Sequence, residues 1–249
     1  MPFTISHIAA VLPLFRWNRL DPLALAIGSM APDFGYFIQH FDLAGRAHGI
    51  HGSIVVALPL AWLAWFAARA GSEVLSCPLP NPHRRALAGF LTAKLPDLPF
   101  FWVSVSLLLG IWSHTILDSF THASGWTVLH VNLLHEPWPV YHGLQHLGSV
   151  AGMLILVVSY LRWKNRTYRE STRWTKKHLL LPAAAFLALA LAIPMAWSFA
   201  SRFDGFLAAR AFVFRGTVTA MGIFACTYVL LGAMLTFTAG DRRKNGVHR

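Results

Sequence analysis

The chain has 249 residues, 55% of them hydrophobic and 12% charged, against roughly 25% charged in an average soluble domain. Apolar runs at 53–68, 99–113, 147–161, 179–201 and 217–239 approach the ~20 residues that cross a bilayer's hydrocarbon core, which excludes a soluble globular domain. The net charge of +11 does not imply nucleic acid, since aromatic and basic residues interleave on no polar segment as single-strand grooves require.

In chain order, Thr4 to Phe15 reads as a short amphipathic, interfacial helix that ends near Arg16-Trp17-Asn18-Arg19. No basic region precedes its apolar stretch and no small-residue cleavage site follows, so a removed signal peptide is not expected. Asp21-Pro22 marks a helix start with proline in the first turn. The following segment, 22–40, is apolar except for Asp33 and reads as a first crossing, bent or re-entrant at Gly28, Pro32 and Gly35. A polar turn with His48 and His51 leads into a helix over 52–70, and 71–85 is a loop. Asp97 caps a helix from about 99 to 121, a histidine-rich loop follows, and three more apolar helices are separated by basic and short connections. Cys77 and Cys226 are far apart and define neither a disulfide framework nor a zinc knuckle. The expectation is an all-α polytopic membrane helix bundle. It would have about six transmembrane helices and a short N-terminal interfacial helix, with residues 1–249 as a single integral membrane domain.

Lys and Arg set the orientation. With cytoplasmic termini and six crossings, only Arg46, Arg202, Arg210 and Arg215 fall outside, and the other 17 of the 21 fall inside. That arrangement gathers Asp33, His51, His122, His142 and His146 at the outer face, while Asp97, 17 residues before His114, sits at the cytoplasmic one. The location implied is a bacterial inner membrane with a site facing outward.

His114, Asp118 and His122 are spaced i, i+4, i+8 and share one helix face. Imidazole and carboxylate one turn apart can ligate one divalent ion, and this donor chemistry suits zinc first, manganese or iron next, and calcium poorly. Ionisable groups inside spans face cavities and mark function. The alternative is a hydrogen-bonded glue between helices, with His114 on a neighbouring carbonyl and Asp118 paired across the bundle. His51 enters a helix beside Gly52 and Ser53 and is a better ligand candidate than His48, which reads as solvated. Asp33, after a proline break, is either a ligand or a cap, and His7 is flanked by apolar residues. His142 and His146 form either a further wall of the site or an interfacial cap, while His130 and His135 read as loop residues.

The motifs Met-Pro-Phe-Thr-x-Ser-His at the N-terminus, Gly28-Ser-Met-Ala-Pro-Asp33, His114-x3-Asp118-x2-Thr121-His122 and Gln145 near a helix start resemble a bacterial membrane-protein family catalogued as domain of unknown function 4184. More distantly, the order His, Pro-Asp, His-x-Gly/Ser, His-x3-Asp resembles the membrane-bound metal-dependent hydrolases and the zinc-dependent phospholipases C. That second resemblance implies His7, Asp33, His51, His114, Asp118 and His122 as metal ligands. The later His-x3-Glu pair of those enzymes has no clear counterpart, His142-x3-His146 being nearest.

Three functions follow as expectations. The first is a hydrolase using a divalent metal on a phosphoester or lipid-linked substrate at the outer membrane face, with Asp33 or Asp118 as general base where not a ligand. The second is a metal or ion transporter, and the third a non-catalytic membrane protein with a structural metal. The bilayer is the expected partner, with a lipid or phosphoester substrate and no nucleic acid.

Overall fold

The computed structural model describes residues 4–93, 98–136 and 139–246, and side chains up to 238. Asp97, expected as a helix cap, lies outside the described residues. Among these there is no strand; the protein is all-helical, and five helices are long and apolar enough to cross a membrane: Ile50–Ala70, Phe100–His130, Val140–Thr167, Lys176–Ala200 and Gly205–Thr238. Their outward surfaces carry exposed Leu154, Phe186, Leu189, Trp197 and Phe237, the pattern of helices solvated by lipid.

The segment expected as a sixth crossing is instead broken into Pro22–Gly28, Ala31–Asp33 and Phe34–Phe37. Pro32 cannot donate a backbone hydrogen bond to continue the first helix, and the chain turns after Ser29. The Pro22 helix starts as the sequence implies: Asp21 caps it, accepting from Leu23 N–H at 2.8 Å and Ala24 N–H at 3.1 Å. The same cap ties two spans together, because Trp65 Nε1 donates to Asp21 Oδ2 at 3.1 Å and the Asp21 N–H donates to Ser106 Oγ at 2.9 Å.

The chain forms two compact units, Met1–Ala67 with Lys94–Trp163, and Ala68–Ala93 with Lys164–Arg249. The first contains the broken segment, the short N-terminal helix Thr4–Arg16 and most of the first three spans. The second is organised by a helical hairpin, Leu180–Ala200 and Gly205–Gly246, turned at Gly205 with φ +56°. Ala188, Ala192, Ala196 and Ala200 recur every fourth residue and are buried, so small side chains let the two helices pack closely. Tyr228 fastens this hairpin to the shorter Ser72–Ser76 helix, its hydroxyl donating to the Leu75 carbonyl at 2.6 Å.

Candidate metal centre

Close backbone contact builds the centre. The Pro22–Gly28 helix lies against Phe100–Thr121, and a Cβ on Gly110 would stand 2.5 Å from the Leu25 carbonyl oxygen. Only hydrogen fits there. One turn further on, His114 reaches the end of the shorter helix and its Nδ1 lies 2.8 Å from the Ser29 carbonyl oxygen. A carbonyl only accepts, so Nδ1 carries the hydrogen and Nε2 keeps its lone pair.

His48 is oriented in the same way. It terminates the Phe41–Ala47 helix, and its Nδ1 lies 2.7 Å from the carbonyl oxygen of Ala44, one turn back. Its Nε2 then points toward the Nε2 of His114, at 3.2 Å. Asp33 follows the Pro32 break and is buried; its Oδ2 accepts from the Thr4 hydroxyl at 2.6 Å. Asp118 sits one turn beyond His114 and is also buried.

Four ligand atoms thus converge. His48 Nε2 is 3.3 Å from Asp33 Oδ1 and 3.5 Å from Asp118 Oδ2; His114 Nε2 is 3.6 Å and 3.2 Å from the same two oxygens. Zinc holds nitrogen and oxygen ligands at about 2.0–2.1 Å, so neighbouring corners of its tetrahedron are roughly 3.3 Å apart. Five of the six separations, from 3.2 to 3.6 Å, bracket that edge, and all four atoms lie within 4.8 Å of one another. Two carboxylates with two neutral imidazoles also balance a divalent charge, which a buried ion requires. The group could hold a metal ion.

Without a metal, a proton can take the central role. Burial lowers the His48 imidazole, but hydrogen bonds to Asp118 and Asp33 outweigh that and raise it from 6.5 to about 10. A charged His48 then donates from Nε2 into the acidic pair. Burial raises Asp33, but the hydrogen bond from His48, the electrostatic influence of the His114 imidazole and the bond from Thr4 outweigh it and bring it down to about 2. The expected alternatives are therefore both visible: the Ser29 carbonyl and the imidazole–carboxylate pairs form a network between helices, and that network also aims the donors at one point.

His7 is completely buried, yet neither ring nitrogen has a hydrogen-bond partner among the described residues. Its ring stacks on His114 at 3.8 Å, and Nε2 lies 3.5 Å from Asp118 Oδ1. Burial and His114 lower it to about 3, so it is neutral. An unsatisfied buried imidazole costs on the order of 1–3 kcal/mol, a cost that a ligand at Nε2 would remove. It reaches this position because the N-terminal helix sits on Val140–Thr167, where a Cβ on Gly152 would stand 2.8 Å from the Ser6 carbonyl oxygen. His122, just past the end of its helix, places Nδ1 3.6 Å from Asp118 Oδ1, with Gln145 Nε2 3.5 Å from its other nitrogen. Asp118 therefore faces His48 and His114 with one oxygen and His7 and His122 with the other.

Of the residues singled out in the sequence, the structure brings together His7, Asp33, His114, Asp118 and His122, but not His51. His51 is exposed. It opens a helix whose next residues, Gly52 and Ser53, take the buried side, and His48 occupies the place expected for it. Ser53 does not orient a ligand: its hydroxyl donates to the Ile50 carbonyl and accepts from Trp112 Nε1. Asp33 makes no cap to the helix after it. His142 is half-buried and His146 exposed, and His130 stacks on Trp126 at 4.4 Å. Thr4 and the Ser29 carbonyl orient two of the four donors, and no spacing in the sequence signals either.

Residues 1–236 match the family model described as Domain of unknown function (DUF4184). The chain belongs to that family. Comparison with curated proteins and with solved structures gives no match.

Proposed function

We propose that this DUF4184 member is a membrane-embedded, metal-dependent hydrolase with zinc as its ion, or manganese or iron, acting on a phosphoester or lipid-linked substrate at the outer face of a bacterial inner membrane. The observation that carries the reading is the donor set: two imidazoles and two carboxylates whose ligand atoms lie within 4.8 Å of one another, with no thiolate. Structural zinc is held mainly by cysteine, whereas histidine and carboxylate sets serve catalysis. A bound ion there would supply Lewis acidity, making water nucleophilic near neutral pH and offsetting charge on a phosphoryl oxygen. The chain's own part is positioning and proton transfer. The His48 and His122 side chains are 23% and 36% exposed, which gives the buried carboxylates a route to solvent. Asp118 turns Oδ1 toward His122, so a proton taken from water at that oxygen can leave through the imidazole.

A structural metal is the second reading, favoured because four protein donors already lie close enough to share one ion, the ligand count of a closed structural site. Elemental analysis and turnover separate the two. Stoichiometric metal with chelator-sensitive hydrolysis of a phosphodiester or lipid-headgroup panel supports the hydrolase; stoichiometric metal with no turnover on any member supports the structural ion. Metal-free wild type with melting unchanged by chelator removes both. For orientation, cysteines placed at His130 and Glu170 in a background lacking Cys77 and Cys226 should label from outside at 130 only. The reverse pattern would overturn the outward site.

A further inference from the structure

The second unit contains a cavity of about 430 Å³ whose lining includes Asn81, Arg84, Glu170, Arg173, Lys177 and His178, within the range of roughly 300–1,000 Å³ typical of small-molecule pockets. Its walls are fixed. The Arg173 N–H donates to the Asn81 carbonyl at 3.1 Å, joining the two loops that carry the cations. The Thr175 N–H donates to His178 Nδ1 at 2.9 Å, so the neutral ring carries its hydrogen on Nε2. Glu170, the carboxylate of the lining, forms an ion pair with Arg85. Arg84, Arg173 and Lys177 therefore dominate the pocket's charge. Beside it, Trp174 and Leu179 are 64% and 65% exposed, and the apolar Lys176–Ala200 span starts within the lining itself. A soluble anion has no use for an apolar wall, whereas an amphiphile needs both parts. The basic loops are also those the Lys/Arg distribution assigns to the cytoplasmic side, where the leaflet surface is negative.

We infer that this pocket binds the phosphate group of an anionic phospholipid, its acyl chains lying along the Lys176–Ala200 helix. The ligand chemistry is a phosphate monoanion received by two guanidiniums and an ammonium. The test adds phosphatidylglycerol, phosphatidylcholine or inorganic phosphate to the full-length protein in detergent and reads bound lipid by native mass spectrometry. Phosphatidylglycerol should be retained in preference to phosphatidylcholine, and Arg84→Gln with Arg173→Gln should weaken its binding on the order of a hundredfold, as expected for two charge-assisted hydrogen bonds. Arg162→Gln with Arg166→Gln removes equal charge outside the lining and should leave binding intact. Equal loss in both double variants would reduce the effect to diffuse surface charge and overturn the pocket. Inorganic phosphate at millimolar concentration displacing the lipid would overturn the lipid assignment. Should the first double variant fail to fold, acetylation rates in wild type decide: phosphatidylglycerol should slow modification of Lys177 but not of Lys164, and an unprotected Lys177 refutes the site.

Discussion

The two units concentrate polar groups in opposite ways. In the first, Asp33, His48, His114 and Asp118 are drawn within 4.8 Å of one another, and each charge has an opposite charge or a carbonyl beside it. In the second, Arg84, Arg173 and Lys177 line an open cavity with one carboxylate among them, already paired to Arg85. The difference follows from solvation. Buried charge must be balanced within a few ångströms, because the desolvation penalty amounts to several kcal/mol per ion. At a wet surface, water and salt carry that load, and an excess of one sign is tolerable. Such an excess suits capture of an anion, whereas a balanced buried set suits holding an ion or proton in one geometry.

The sharpest way to break this comparison is to unbalance the buried cluster. Asp118 faces His48 and His114 through one oxygen and His7 and His122 through the other, so Asp118→Asn removes the charge common to all four contacts. It should lower zinc affinity on the order of a thousandfold, about 4 kcal/mol, within the roughly 3–5 kcal/mol that breaking a buried ion pair costs. Elemental analysis after dialysis against a zinc buffer measures this. Near-normal zinc content in the variant would mean that Asp118 is not a ligand and that its contacts serve only as a network between helices.

Next in size is the contrast between two neighbouring histidines. His48→Ala should lose most of the bound zinc, while His51→Ala should retain it, since His51 is exposed. Zinc titration of both variants settles which imidazole is the ligand. This pair also marks how far the sequence is informative. The five spans are legible because apolar runs of bilayer length have few other uses, and His114 with Asp118 because helical spacing alone puts them on one face. His48 is not legible: its inward direction comes from the Ala44 carbonyl at the end of a short helix, a cap geometry that spacing does not encode. Nor is the break over 22–40, where Gly28 and Pro32 signal a bend but only the docking of Pro22–Gly28 on Gly110 separates a bent crossing from a broken segment.

Proton competition gives a smaller effect. In the metal-free protein His48 is raised from 6.5 to about 10, so its folded-state pKa exceeds the unfolded one. The stabilisation from this shift is fully present below about 6.5 and is lost as pH rises through about 10. Zinc must displace that proton. Affinity should therefore climb about tenfold per pH unit from 7 to 9 and level off above about 10, while the metal-free melting temperature falls across the same interval. Isothermal titration in buffers of different ionisation enthalpy would count the proton released at pH 8. No proton release would show that His48 is already neutral and that the metal-free cluster is balanced in some other way.

The smallest effect should come from Thr4, which touches none of the four candidate ligand atoms but donates to the outer oxygen of Asp33 at 2.6 Å. Thr4→Val keeps the shape and removes the donor. The carboxylate then loses one charge-assisted bond, and Asp33 is left less firmly aimed at His48 and His114. Partners of this kind are worth about 10–100-fold in metal affinity, well below the effect of removing a ligand. Thr4→Ser should restore the hydroxyl and most of the affinity. If the unit were held together only by helix packing, both substitutions would alter melting slightly and zinc affinity not at all. A loss in Thr4→Val that Thr4→Ser rescues would instead tie the N-terminal helix to the ion, through a hydrogen bond spanning 29 residues of sequence.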